Sequence, residues 1–440
     1  MTADAESTPA AVSGHHAAPV QSAQSISRGL MAALFSVAPA LRSRNFRLFW
    51  FGQLISVVGT SVQVVAEGWL IYAITGSTFW LGAVGFLALL PVLPISLAGG
   101  VLIDRVPRRK LILVTQMGLM LQAAIFGLLA VRGDIHIWQV ILLYFVFGSI
   151  LAIDHPARRA FLVELVDEGD LSNAVALNAT VFNMSSLIGY ALAGVLIAAV
   201  GAGPTMILNS LTYLAPIAAL LLIRVPDVPA EQIADVQEER PPFRQAIWGG
   251  VVALLRQPDV LAVMSLMALV GGLAYPVFGM MPAFAQDVAQ AGSIGLGILL
   301  AAGALGSVLG TFAVARLDSL GRGRTLTVAS IALPLAVLAF AFTKSLWLAS
   351  AMLVLIGLTL LILQSMAITL VQIHTDNRVR GRVMTIYSQL HAGADTMSNV
   401  VVGSLAVYIG LPLALGLGAA ISLVYALGLR IAMPVVARME

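Results

Sequence analysis

Apolar runs of about twenty residues recur along this chain, and the short polar loops between them alternate between basic and nearly neutral. A run of that length crosses a hydrocarbon layer of ~30 Å as a helix. Helix is the form that satisfies the backbone amides of each run where no water can. Twelve spans are expected, near 47–74, 79–103, 111–131, 137–153, 174–200, 205–223, 258–285, 294–315, 325–343, 347–371, 384–409 and 413–433. Of the 24 Lys and Arg residues, 22 fall before the first run, after the last, or in every second loop, leaving Arg132 and Lys344 on the other side. Basic residues are retained in the cytoplasm. The expectation is an all-α, multi-pass protein of the cell (inner) membrane, with both termini cytoplasmic.

Charge is scarce, at 10% of residues, so where it gathers is informative. The densest cluster, Gly100-Val-Leu-Ile-Asp104-Arg105-Val-Pro107-Arg108-Arg109-Lys110, sits between the second and third runs. The longest internal polar stretch runs from Arg224 to Pro258 and holds Pro226, Pro229, Pro241 and Pro242. It divides the runs six and six, as an inter-domain linker does. The expected division is a disordered tail with a surface-seeking apolar piece over 1–41, a six-helix bundle over 42–224, a linker over 225–257, a second bundle over 258–433 and a short tail over 434–440.

The two bundles echo each other. Asp167, Gly194, Leu196 and Gly201 recur at a constant offset of 209 as Asp376, Gly403, Leu405 and Gly410. The loop containing Gly100 and Asp104 finds a counterpart in Gly310, Asp318, Arg322 and Arg324 at the same place in the span order. A tandem repeat is the economical reading, and parallel repeats about the membrane normal build a cavity at their interface.

Several function classes are excluded or disfavoured. The absence of cysteine rules out disulfides and thiol chemistry. A formal charge of +3, with its basic residues confined to loops, argues against nucleic-acid binding. The pairs Gly295-Leu-Gly297 and Gly416-Leu-Gly418 lie in or beside apolar runs, where small residues serve helix packing, and no phosphate-binding GxxxxGK[ST] loop exists. Neither His15-His16 in the tail nor the scattered methionines, Met280-Met281 included, forms a metal constellation. No cofactor is expected.

Charge within a bilayer costs about 2.5–3.5 kcal/mol per residue on insertion scales, so an ionisable residue there needs a reason. Glu67, in a first span that also carries Gln53 and Gln63, is one such residue; His391 and Asp395 in the eleventh span are the others. The last two are spaced i,i+4, on one helix face and within reach of each other. Asn399 extends much the same face, and Asn178 and Asn183 offer polar groups in the fifth span. These eight residues are the candidates for proton or substrate binding. A His–Asp bond that merely pins helices, and asparagines satisfied between helices, are the structural alternatives.

The stretch from Gly100 to Arg109 resembles the G-x-L-a-D-r-x-G-r-r/k loop of the major facilitator superfamily. Arg44-Asn-Phe-Arg47 with Gln53, Glu67-Gly-Trp69, Thr75-Gly-Ser77, Pro156-Ala-Arg158-Arg159-Ala-Phe161 and Arg380-Gly381-Arg382-Val383-Met384 resemble the branch that holds the enterobactin exporter and macrolide efflux proteins. Pro107 departs from the family's glycine, and Tyr190 follows Gly189 where proton antiporters of the superfamily often carry proline. The resemblance implies the major facilitator fold and alternating access, in which the two bundles rock about a central site. It further implies that Gly100, Asp104, Arg105, Arg108 and Arg109, with Asp318, Arg322 and Arg324, form gating loops. Asp104 would face the positive end of the eleventh helix near Met384.

The expected function is secondary active transport: proton-coupled efflux of an amphipathic siderophore, drug or metabolite. Proton-coupled uptake of a small polar solute and a transport-inactive scaffold or sensor are the alternatives. An enzyme is not expected. The partners implied are the small molecule, protons and the lipid bilayer, with the protein acting as a monomer.

Overall fold

The computed structural model describes residues 38–92, 95, 106–224, 254–317, 321–377 and 379–439. The tail expected over 1–41 and the linker over 225–257 fall largely outside these residues, as do Gly100, Asp104, Arg105 and Asp318. Every element among the described residues is helical.

In chain order the first half holds α1 (Arg44–Thr75), α2 (Thr78–Leu89), α3 (Arg108–Arg132), α4 (Ile137–Val163), α5 (Leu171–Val200) and α6 (Ala202–Leu222). The second holds α7 (Pro258–Gly279), α8 (Gly292–Leu317), α9 (Arg322–Ala341), α10 (Leu346–His374), α11 (Arg380–Ile409) and α12 (Leu411–Ala432). Ten of these are long and apolar enough to cross a membrane. The exceptions are α2, whose described part covers 12 residues, and α11, whose 30 residues are long enough but too polar. The polarity of α11 comes from the face that carries Ser388, His391, Asp395 and Asn399.

Local signals set the helix ends. Ser43 caps α1 by accepting from the Phe46 amide, and Gly76 closes it at φ +60°. A side chain at that φ would be strained. Pro107, whose φ of −52° suits its ring, caps α3.

One expectation is corrected. The fourth span was expected to end at 153, with Arg158 and Arg159 in a loop, yet α4 continues through Pro156 to Val163. Pro156 forgoes the amide bond to the Ala152 carbonyl without ending the helix, and Asp154 and Arg158 become one helical turn apart. Another helix is interrupted. α7 carries a π-helical turn at Met267–Gly271 and ends at a break at Met280, beyond which the chain resumes through Met281–Ala283 into a second π-helical turn at Phe284–Val288.

Packing repeats between the halves. Within the first, α3 packs on α4 and α6, α1 on α5, and α2 on α4; within the second, α9 packs on α10 and α12, α7 on α11, and α8 on α10. Each pair maps onto its counterpart by a shift of six helices. Between the halves, α5 meets α8 and α2 meets α11, which the same shift interchanges, while the segment Met281–Ala283 meets α1. The amino ends of odd-numbered helices therefore share one face with the described chain ends, here the termini face. The opposite side is the far face.

The halves are joined in their far portions. Tyr72 donates a hydrogen bond to Asp287 Oδ2, and Thr78 Oγ1 donates to the Gly403 carbonyl at 2.8 Å. Glycines let the backbones touch. A Cβ on Gly194 would lie 2.6 Å from the Ser293 oxygen and 2.9 Å from Gly297 Cα, and one on Gly82 would lie 2.4 Å from the Asn399 oxygen.

Candidate functional site

A cavity of ≈ 430 Å³ lies between the halves. Its walls are mainly apolar and aromatic, with Tyr144 and Tyr190 from the first half facing Tyr275 and Phe278 from the second. Asp395 is the one carboxylate among its described lining residues. The Asn399 amide holds it in place, donating 2.9 Å to the Asp395 carbonyl and 3.0 Å to its Oδ1. Asn399 fits because Gly279 opposite has no side chain: a Cβ there would fall 1.9 Å from Asn399 Oδ1, which has no donor.

His391 takes other partners. Its Nε2 lies 3.4 Å from the Tyr275 hydroxyl and 3.3 Å from Gln364 Nε2, and its ring is tilted against Tyr275 at 5.4 Å between centroids. His391 Nδ1 is buried without a partner. Among the described residues no ion pair joins His391 to Asp395, although their spacing permits one. Asp395 is drawn one turn onward by Asn399, and His391 turns toward α7 and α10.

Glu67, 1% exposed, sits behind the cavity wall. Gln63 Nε2 donates to it at 2.6 Å and also reaches Gln122 Oε1 at 3.2 Å, while Asn209 Nδ2 donates to Gln63 Oε1. Tyr144 adds a hydrogen bond, so one side chain touches both Glu67 and the cavity. All these partners are neutral. Room for Asn209 is left by Gly59, where a Cβ would lie 2.2 Å from its Oδ1. Gln53 is 2% exposed, and neither of its amide atoms has a hydrogen-bond partner.

Asn183 and Ser186 line a second cavity, ≈ 190 Å³, with Ser307 and Gln364. Asn178 is half-buried on α5 and does not line a described cavity. A third cavity, ≈ 180 Å³, lies in the first half against Ser56, Thr60, Asp154, His155 and Arg158. Tyr190 lines all three. The residue that replaces the antiporters' proline therefore stands at their junction.

Residues 35–440 match the model of a family described as transmembrane secretion effector. This chain belongs to that family of major facilitator transporters. It is 25% identical over 375 residues to the multidrug efflux pump Tap of Mycolicibacterium fortuitum, covering 83% of this chain and 90% of the pump. It is 27% identical to the staphyloferrin A transporter of Staphylococcus aureus over 40% of this chain and 44% of that protein. With macrolide efflux protein A of Streptococcus pyogenes the identity is 21%, over 55% of this chain and 59% of that protein. Two of these three alignments thus span about half of the relative. In fold, the chain is similar to a bacterial homologue of the lysosomal transporter Spinster in an inward-facing, unoccupied conformation, with TM-score 0.65 at 15% identity, covering 90% of this chain and 97% of that one. The nucleoside transporter NupG gives a TM-score of 0.70 at 10% identity, covering 88% and 98%.

Of the arginines expected in gating loops, Arg108 and Arg109 bond within their own half of this transporter. Arg108 Nη1 lies 2.5 Å from Glu164 Oε1, and Arg109 donates to the Leu220 and Leu221 carbonyls at 2.7 and 3.1 Å. Arg322 opens α9, and Arg324 is exposed one residue beyond Gly323.

The ion pair of α4 is what sequence reasoning missed. Asp154, 1% exposed in its side chain, accepts from Thr115 Oγ1 at 2.5 Å and Gln116 Nε2 at 3.1 Å, and its Oδ2 lies 2.5 Å from Arg158 Nε. The i,i+4 spacing of Asp154 and Arg158 was a usable signal, hidden by Pro156 and the arginine pair.

Proposed function

We propose that this transporter exports an amphipathic small molecule, of siderophore, drug or metabolite type, by proton-coupled alternating access. The observation that carries the reading is Asp395, fixed by Asn399 in a mainly apolar, aromatic cavity between two halves joined at the far face. Aromatic walls suit the greasy part of such a cargo, and one carboxylate gives polar or cationic groups an anchor. The names of the Tap pump and the macrolide efflux protein favour export.

Proton coupling rests on Glu67. It is buried among neutral partners, and a bound proton removes the charge that its site does not pair. The proposed architecture is twelve spans in two six-helix bundles, 42–224 and 258–433, joined by a linker over 225–257. It is monomeric, in the cell membrane, with the termini face cytoplasmic. The gating role of Gly100, Asp104, Arg105, Arg108, Arg109, Asp318, Arg322 and Arg324 is part of the same proposal. In that orientation the far-face contacts are the closed outer gate.

Reconstitution tests the proposal. Proteoliposomes are loaded with one member of a panel of siderophores, macrolides and lipophilic dyes, and a pH gradient is imposed. The reading expects cargo movement opposite to protons, lost in Asp395→Asn and Glu67→Gln. Movement in the same direction as protons, or two variants as active as the parent, would overturn it.

A further inference from the structure

The third cavity contains charge that the proposed mechanism does not use. Arg158 projects from α4 beside His155, with Arg159 close by on the same helix. The Arg158 side chain is 11% exposed. Its counter-ion reaches one edge of it alone: Asp154 spends Oδ1 on Thr115 and Gln116 and meets Arg158 through Oδ2 at Nε, off the axis of a hydrogen bond. Among the described residues, neither terminal nitrogen of Arg158 has a hydrogen-bond acceptor. The end of a guanidinium is thus left facing a cavity, beside a histidine, with hydroxyls from Ser56, Thr60 and Tyr213 around it.

We propose that this cavity is a subsite for a carboxylate carried by the cargo, received by the terminal nitrogens of Arg158. Two parallel N–H donors match the two oxygens of a carboxylate, a fit that an ammonium lacks. Asp154 has a positioning role, holding Nε so that the outer edge of the fork faces the cavity. At ≈ 180 Å³ the space suits one acidic group and the carbons next to it. Val64 and Tyr190 are shared with the ≈ 430 Å³ cavity, so the body of the same molecule would extend toward Asp395. The inference deepens the transporter reading and rests on it. It adds a substrate class: molecules with an acidic group at one end, with room for a basic or neutral one at the other.

Equilibrium binding separates the two readings. The full chain in nanodiscs of zwitterionic lipid is titrated with a rhodamine dye bearing a free carboxyl group and with its methyl ester, followed by fluorescence anisotropy. The acid is expected to bind about tenfold more tightly than the ester, as a charge-assisted pair allows. That preference is expected to collapse toward unity in Arg158→Gln and to return in part in Arg158→Lys. The double variant Asp154→Asn/Arg158→Gln, which leaves no orphaned charge, is expected to lose the preference while keeping the parent's size-exclusion profile. An ester bound as well as the acid, or a preference that survives both Arg158→Gln and the double variant, overturns the proposal. So does a preference abolished by adding an anionic lipid to the nanodisc, since Arg158 would then be holding a headgroup. A dye that binds with this pattern but is never moved in proteoliposomes counts against export alone.

Discussion

Gly194 and Gly403 stand 209 residues apart, and each would place a Cβ 2.6 Å from a backbone oxygen of the opposite half: that of Ser293 for the first, that of Thr78 for the second. The equivalence extends to their helix ends, where Gly201 and Gly410 adopt φ of +88° and +83° and start the next helix without a gap. The two contacts, α5 on α8 and α11 on α2, are one interface used twice.

A side chain at either glycine is therefore expected to prise the far face apart. Gly194→Val forces a backbone shift of the kind that costs ~1–3 kcal/mol in a packed core, enough to shift a two-state balance about fivefold or more. The chain has no cysteine, so a single one placed at Leu81 in the cavity wall reports cleanly. Its labelling by an impermeant maleimide from the far side should rise by that factor.

Tyr72→Phe removes a hydrogen bond to a carboxylate across the same far-face contact while keeping the ring. Such bonds contribute ~1.5–3 kcal/mol. The same labelling assay should therefore show a severalfold rise, and Asp287→Asn should fall between Tyr72→Phe and the parent because an amide oxygen still accepts.

Glu67→Gln keeps the shape of the buried network and the hydrogen bonds to Gln63 and Tyr144, with the amide turned to suit. Its melting temperature is expected to stay close to the parent's. Glu67→Ala leaves Gln63 with an unmet donor at a cost of ~1–3 kcal/mol, and should melt several degrees lower. A proteoliposome assay on Glu67→Gln then reads coupling without confusion from folding.

Arg158→Gln alone strands Asp154 in the protein interior, a change of the type that costs ~3–5 kcal/mol. Asp154→Asn in the same chain should recover most of the loss. Thermal unfolding of the two single variants and the double variant measures it, and additive losses would show that the two residues do not interact.

Gln53 gives a prediction of the opposite sign. Its amide is buried with neither atom partnered, so Gln53→Met should raise the melting temperature, since an unmet polar group costs ~1–3 kcal/mol. If the amide is kept for a ligand, the same variant should lose cargo binding as it gains stability.

Much of the fold is legible in the sequence because the membrane imposes few choices. Apolar run length and basic loops mark the helices, and the polar stripe of the eleventh run identifies a helix that lines a cleft. The site is less legible. Glu67 stands out as a lone carboxylate, but its partners Gln122 and Asn209 come from α3 and α6, far along the chain, where a glutamine or asparagine carries no warning. The His391–Asp395 spacing permits a pair, yet Tyr275, Gln364 and Asn399 compete for the two side chains and take them. Asp154 and Arg158 fall beyond the expected end of the fourth run because a proline lies between them, and a helix that continues through proline has no signature in composition.

The broken course of α7 has a mechanical meaning. A regular helix transmits a push along its whole length, because each turn is tied to the next by the same hydrogen-bond pattern. α7 and the segment that continues it lose that stiffness at Met267–Gly271, again at Met280, and again at Phe284–Val288. The piece between the first two breaks bears Tyr275 and Phe278, which touch the cavity, and the last turn bears Asp287, which holds Tyr72. In the proposed transport cycle, cargo resting on that middle piece would lean on a linkage rather than a rod, and the clasp at its end would let go while the base of the helix stays where it is.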